Sequence, residues 1–291
     1  MKIIPGSAGA RLANQISKDF CIEQVGAFVE RYADQELRVG LEGDVCGEDV
    51  VIVQSTSTPT NDHLMELLLL VDAAKRAGAR RITAVTPYFG YSRQDRLEGF
   101  GPLAANLVSV MMEAAGVDHL ITLDLHHPQL AGCCKMSLRN LETTGLFANF
   151  LINRSDLKVV SPDRGGLIRA CRLSNLLGVD LAVIDKSRQS PNHCEVHGMA
   201  GDVAGFHCIV VDDIVDTAET LCKASDFLME RGALSVEAFV THAVLSSPST
   251  HHLSHSSLGK VIVTNSIEQL DLGEKFHVIS VAPLIGEVLL S

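Results

Sequence analysis

The sequence predicts an α/β protein built from two similar halves, each a mainly parallel sheet flanked by helices. One observation is a repeated succession of elements. Residues 50–53 form an apolar run, followed by a Ser/Thr/Pro turn, an apolar-periodic segment over about 62–77 stopped by Gly78, and a second apolar run over 81–86. The same succession recurs over 209–241, with Gly232-Ala233 in the place of Gly78-Ala79. A second observation is that these runs are continuous and end in polar or acidic residues, as parallel strands buried on both faces do. A third is size: 291 residues with 46% hydrophobic content suit two domains of ordinary length with ample core. The predicted division is 1–143 and 144–291, near Glu142 to Gly145, with the final helix able to return to the first half.

Composition narrows the function. A net charge of -11 argues against a nucleic-acid backbone as partner and leaves room for a local basic pocket. The eight cysteines form no C-x-x-C, and several sit in apolar runs, so buried thiols in a reducing compartment are expected rather than disulfides or zinc. No run is long enough to span a membrane, and the start of the chain lacks the apolar core of a signal peptide. These features predict a cytoplasmic protein without a membrane partner.

Taken in order, residues 2–5 read as a short edge strand and 10–18 as a helix. Residues 30–37 read as a polar loop with one aromatic, Tyr32, between two strands. The helix over 62–77 carries Leu64, Leu67, Leu68 and Val71 on one face, while Leu69 and Leu70 widen its apolar stripe. That pattern predicts cover on two sides, by the sheet and by a subunit interface. Strands at 120–125 and 159–160 are followed by His126 and Asp163. The strand 181–184 releases Lys186 and Arg188 into a Ser/Pro/Asn loop. The stretch 206–220, FHCIVVDDIVDTAET, reads as strand, acidic turn and helix start.

That last stretch combines two chemistries. Asp212 and Asp213, with Asp216 beyond them, sit where ligands of parallel sheets bind, outside the strands' carboxyl ends, and suit sugar hydroxyls. Thr217, Ala218, Glu219 and Thr220 open a helix, whose hydroxyls and backbone amides suit a phosphate. Arg93 and Gln94 follow a strand end in a polar loop and can grip polyphosphate and base. His126 and Asp163 leave different strands and could converge on one magnesium ion or its water shell. Lys186 and Arg188 are cations at a strand end, suited to charge that grows during phosphoryl transfer. His127 and the trio His251, His252 and His255 read as solvated.

Several runs together resemble the ribose-phosphate diphosphokinase family: QSTS-x-P-x-N, MELLLL-x-DA-x-KRAGA and PY-x-GY-x-RQDR. They continue in Asp124-Leu125-His126, Ser161-Pro162-Asp163 with Gly165-Gly166, Ile184-Asp185-Lys186, Val211-Asp212-Asp213 with Asp216-Thr217, and Thr264-Asn265-Ser266. They span almost the whole chain. The resemblance implies two type I phosphoribosyltransferase-like domains, the first binding ATP and the second ribose 5-phosphate. It implies Mg2+-dependent transfer of diphosphate from ATP to the 1-hydroxyl of ribose 5-phosphate, giving 5-phosphoribosyl 1-diphosphate (PRPP) and AMP. It also implies a dimer-based homo-oligomer, a hexamer among the options. By this resemblance Tyr32 stacks on adenine, and Asp34, Gln35 and Glu36 contact ATP from a neighbouring subunit. Gln35 stands where the family usually has glycine. His126 and Asp163 become metal ligands, and Lys186 and Arg188 become transition-state cations.

The chain departs from the family in places. Residues 97–102, LEGFGP, replace a loop rich in Lys and Arg, and Gly43 to Gly47 replaces a segment that binds regulatory phosphate or ADP. Glu219 stands where the phosphate loop has glycine, and it is expected to turn toward solvent or a nearby cation while its N–H faces the phosphate. These departures keep an alternative open: a weakly active or non-catalytic nucleotide-binding paralogue that regulates an active partner. A phosphoribosyltransferase that consumes PRPP is disfavoured by the N-terminal runs.

Overall fold

A computed structural model describes every residue except 97, 98, 133, 191, 192, 270 and 271, and every side chain within helices and strands except those of 128, 186–190 and 193–197. In chain order the elements are β1 (Lys2–Pro5), α1 (Ala10–Phe20), β2 (Glu23–Gln24), β3 (Ala27–Arg31), β4 (Leu37–Leu41), β5 (Asp49–Val53), α2 (Thr60–Arg76), β6 (Arg81–Val85), α3 (Ala104–Ala115), β7 (His119–Leu123) and β8 (Ser137–Leu141). They continue with α4 (Thr144–Leu151), β9 (Leu157–Ser161), α5 (Leu167–Leu177), β10 (Leu181–Ser190), β11 (His193–Ala200), β12 (His207–Val215), α6 (Glu219–Glu230), β13 (Ser235–Ala243), α7 (Ser249–Ser254), β14 (Val261–Thr264), β15 (Phe276–Ile279) and α8 (Ala282–Leu289). Among the described residues no helix is long and apolar enough to cross a membrane.

The chain divides into two compact units, one of residues 1–141, 265–268 and 280–291, the other of 142–264 and 269–279. The first boundary lies beside the expected Glu142 to Gly145, and the end of the chain goes back to the first unit, the return that the sequence reading allowed for the final helix, so the second unit does not run unbroken over 144–291. Side-chain contacts explain the return. Asn265 Oδ1 accepts the Val281 N–H at 2.8 Å, and Ser280 Oγ donates to Gln15 Oε1 at 2.7 Å. Helix α8 then lies so close to α1 that a Cβ at Gly286 would enter the Phe20 ring.

In the first unit the described strands form a parallel sheet in the order β2-β1-β5-β6-β7-β8, and β3 and β4 form a separate antiparallel pair. Strand β1 is therefore not the expected edge, since the two-residue β2 covers it. Helix α2 buries Leu64, Leu67, Leu70, Val71 and Ala74 against the sheet, while Met65 is exposed. It ends where Gly78 takes φ 85 and donates to Lys75 O, a left-handed stop that glycine adopts without steric cost. The periodicity did not reveal that the helix also buries Glu66. Its carboxylate accepts the Ser7 N–H at 2.6 Å and the Ser7 hydroxyl at 2.5 Å, fixing the turn that leads into α1.

The second unit holds a sheet in the order β11-β10-β9-β12-β13-β14-β15, parallel except for the β10/β11 pair. Buried Val160, Val210, Val240 and Val263 lie among the apolar residues covering one side, and Phe147, Leu173, Ile209 and Phe239 among those on the other, so the central strands read as unbroken apolar runs. The described cysteines are free: Cys208 and Cys222 are buried, Cys134 and Cys171 half-buried, and Cys21 and Cys46 exposed. The expectation of buried thiols therefore holds for only some of them, and Cys133 lies outside the described residues. Burial pushes the Cys208 thiol up to about 11, against the pull of Lys158.

Candidate active site

In the first unit the β3–β4 hairpin presents residues 32–36 at its tip. Tyr32 N–H donates to Glu36 O, Gln35 N–H to Tyr32 O, and Glu36 N–H to Asp34 Oδ1 at 3.1 Å. Gln35 holds φ 77, so the left-handed conformation a glycine would serve is present without one. Arg31 supports it, donating to Gln35 O at 3.0 Å and pairing with Asp62 at 2.6 Å. Tyr32 is 52% exposed.

Beyond β6, Arg93 and Gln94 are exposed on a loop pinned to α3, since the Ala105 N–H donates to Gln94 O at 3.2 Å. Past the end of β7, Asp124 takes φ 34 and its N–H donates to Leu141 O, while the Leu125 N–H donates to Asn140 Oδ1. These bonds fix the half-buried His126, whose ring centroid is 4.7 Å from that of His127. His127 is not a solvated histidine as expected. Its Nε2 accepts from Arg96 Nη2 at 2.7 Å and lies 3.6 Å from Asp95 Oδ2. Burial holds its imidazole below the ordinary range, and His126 and Arg96 add to this while Asp95 opposes it. A ring nitrogen that accepts from a guanidinium belongs to a neutral imidazole protonated on Nδ1.

In the second unit Asp163 organises the turn from β9 into α5. Its Oδ1 accepts the Gly166 N–H at 3.0 Å, and its carbonyl accepts the Ser161 hydroxyl at 2.7 Å. Arg164 of the same turn pairs through two nitrogens, each at 3.2 Å, with the carboxylate of Asp185 on β10.

Lys186 and Arg188 lie within β10, not in a loop. The strand runs on to Ser190 because β11 pairs with it antiparallel, Lys186 opposite Val196 and Arg188 opposite Cys194, with register shifts at Asp185/Lys186 and Arg188/Ser190. The Ser/Pro/Asn composition suggested a turn, and a neighbouring strand supplies the backbone partners that a turn would lack. The Lys186 and Arg188 side chains are outside the described part of the structure.

Strand β12 likewise continues through the predicted acidic turn to Val215, with Asp212 opposite Val240 and Ile214 opposite His242. Asp212 and Asp213 are thus strand residues, held by pairing to β13. The Asp213 N–H donates to Asp212 Oδ1 at 2.9 Å. A cation that sequence reading missed faces both: Arg169 Nη1 of α5 is 3.6 Å from Asp212 Oδ1 and 3.5 Å from Asp213 Oδ1. Only its place in the first turn of α5, beyond Gly165-Gly166, could have suggested it. Desolvation and the adjacent Asp213 carboxylate push Asp212 well above the usual carboxylate range, while Arg169 pulls it down.

Residues 216–218 then turn into α6, whose first residue is Glu219. Thr217 is exposed, Ala218 is buried with φ 63, and Thr220 lies in the first turn of α6. Ala218 occupies the cap position without a side-chain acceptor, a helix start that suits an anion. Glu219 turns to a cation, its Oε1 lying 2.5 Å from Lys223 Nζ. Among the described residues no group of three or more His, Cys, Asp or Glu side chains is arranged to hold a metal ion by itself.

A mainly parallel sheet with paired carboxylates near the carboxyl end of a strand, followed by a helix start without a side-chain cap, gives the second unit the frame of a phosphoribosyltransferase-like fold. Sequence and structure comparisons agree. Residues 1–116 match the family model for the N-terminal domain of ribose phosphate pyrophosphokinase, and residues 142–265 that for the phosphoribosyl transferase domain. The ribose-phosphate pyrophosphokinase of Agrobacterium fabrum is 44% identical over 99% of this chain and 96% of its own. That of Helicobacter hepaticus is 43% identical over 99% and 94%. The crystal structure of phosphoribosylpyrophosphate synthetase from Mycobacterium smegmatis covers 99% of this chain and 97% of its own, at 33% identity and a TM-score of 0.92. The chain belongs to the ribose-phosphate pyrophosphokinase family, enzymes that transfer diphosphate groups.

Proposed function

We propose that this enzyme makes PRPP by moving the diphosphate of ATP to the 1-hydroxyl of ribose 5-phosphate. The hydroxyl oxygen forms a bond to the β-phosphorus of ATP, the bond from that phosphorus to the bridging oxygen of the α-phosphate breaks, AMP leaves, and the hydroxyl proton passes to solvent. The observation that carries this reading is the Asp212–Thr220 segment, where a carboxylate pair near the carboxyl end of β12 precedes a helix start without a side-chain cap. The pair accepts hydrogen bonds from the ribose hydroxyls, and the amides of residues 217–220 hold the 5-phosphate. Asp216 lies between the two groups.

ATP binding is assigned to Tyr32 under the adenine, with Asp34, Gln35 and Glu36 beside it, and to Arg93 and Gln94. The exposure of Tyr32, Arg93 and Gln94 supports this. Lys186 and Arg188 stabilise charge that builds on the β-phosphate and on departing AMP. Retention of both cations and of the acidic pair speaks for an active enzyme rather than a regulatory paralogue.

His126, in the first unit, and Asp163, in the second, are the residues assigned to Mg2+. The Asp163 carboxylate suits this hard ion, which is usually held by one or two carboxylates and completed by phosphate oxygens and water, and the His126 imidazole suits a water bound to it. Such an ion neutralises charge on the polyphosphate. A homo-oligomer would let the Tyr32 hairpin serve a neighbouring subunit.

The test is formation of AMP and PRPP from ATP and ribose 5-phosphate, with and without Mg2+. Both products in equal amounts, and only with the metal present, are expected. ATP hydrolysis without PRPP overturns the assignment.

A further inference from the structure

Helix α7 carries a histidine that reaches the candidate phosphate loop. His252 Nδ1 lies 2.8 Å from Thr217 O, a contact between segments far apart in sequence. A carbonyl can only accept, so Nδ1 carries the proton. The helix that presents it is firmly placed. Lys275 Nζ donates to Leu253 O at 2.7 Å and to Leu258 O at 3.0 Å, and Asp226 Oδ1 of α6 accepts from the Ser257 N–H at 3.0 Å and from its hydroxyl at 2.7 Å.

The consequence follows from peptide geometry. The Thr217–Ala218 bond is trans, and in a trans peptide C=O and N–H point in opposite directions. With its carbonyl drawn to α7, this peptide must aim the Ala218 N–H to the other side of the turn. The conformation is not one that Ala218 favours, because φ 63 crowds a residue that has a Cβ. A flip of the 217–218 peptide would relieve Ala218 and present a carbonyl oxygen where the amide had been. That oxygen would repel a phosphate.

We propose that His252 is a positioning residue for ribose 5-phosphate: by holding Thr217 O it locks the peptide orientation in which the Ala218 N–H serves the 5-phosphate. The proposal rests on the assignment of residues 216–220 to that phosphate. It predicts selectivity, since the hairpin and loops assigned to ATP are untouched.

The experiment measures ribose 5-phosphate affinity by calorimetry, together with steady-state kinetics, for the full-length protein and for His252→Ala, His252→Asn and His252→Gln. Asn can place an amide N–H near the position of Nδ1, whereas Gln reaches that of Nε2. His252→Ala is expected to weaken ribose 5-phosphate binding about tenfold, equivalent to about 1.4 kcal/mol, with the KM for ATP and kcat within about twofold of the parent. His252→Asn restores most of the affinity and His252→Gln does not. Equal affinity in parent and His252→Ala overturns the role of His252 alone. So does His252→Asn binding as weakly as His252→Ala, and so does a joint loss of kcat and both KM values. A parent protein that binds no ribose 5-phosphate overturns the phosphate-loop reading itself and this proposal with it.

Discussion

Glu219 Oε1 lies 2.5 Å from Lys223 Nζ, one turn further along α6, so the acidic residue in the candidate phosphate loop is neutralised on its own helix. Both side chains are about half exposed, and such a pair contributes only about 0.3–0.5 kcal/mol to the helix. Its larger consequence is electrostatic. A carboxylate about 6 Å from a phosphate dianion would repel it by roughly 5 kcal/mol at an effective dielectric near 20. A carboxylate turned to Lys223 and solvent is screened. Glu219→Gly should therefore change the KM for ribose 5-phosphate only a few-fold. An improvement of about a hundredfold would mean that the native loop is a damaged site.

Asp212 gives a prediction about stability against pH. Its folded-state pKa lies above the unfolded value, chiefly through desolvation and then through the Asp213 charge. The native state therefore holds this proton more tightly. The stabilisation is fully present below the unfolded value near 3.9 and is lost as pH rises through the folded value. Asp212→Asn removes the penalty of ionisation. The substrate-free variant should melt higher than the parent at pH 7, and the gain should shrink as pH falls toward 4. A variant less stable than its parent at pH 7 would contradict this. The same substitution should weaken ribose 5-phosphate binding, a stability gain made against function.

Lys186 is assigned to charge that develops only in the transition state. Lys186→Ala should lower kcat by about a hundredfold or more while changing either KM far less, as loss of one preorganised contact does. Steady-state kinetics decides the matter, and an unchanged kcat would remove Lys186 from the chemistry.

The Tyr32–Glu36 hairpin tip is assigned to ATP bound on a neighbouring subunit. Mixing an inactive Tyr32→Ala/Glu36→Ala protein with inactive Lys186→Ala protein under conditions of subunit exchange should restore part of the activity, because some mixed sites carry both intact halves. A fully active monomer in light scattering would end the shared-site assignment.

Much of this protein was legible in the sequence because its strands are short apolar runs and its helices repeat apolar residues at helical spacing. Val50 to Val53, the α2 stripe with its stop at Gly78, and the Asp212–Thr220 segment are all local patterns, and local patterns need no knowledge of neighbours. What the tertiary structure decided was pairing between distant segments. β10 carries Lys186 and Arg188 onward as strand only because β11 lies beside it, and β12 extends past Asp213 only because β13 does. The last helix joins the first unit through Asn265 and Gly286, whose partners at Val281 and Phe20 no local pattern names. Arg169 facing the acidic pair, and His252 holding Thr217, are likewise contacts across the fold. Composition places a residue on a strand, helix or turn. Which carbonyl a histidine holds, or which carboxylate an arginine meets, depends on the packing of segments that the order of residues brings together only once the chain has folded.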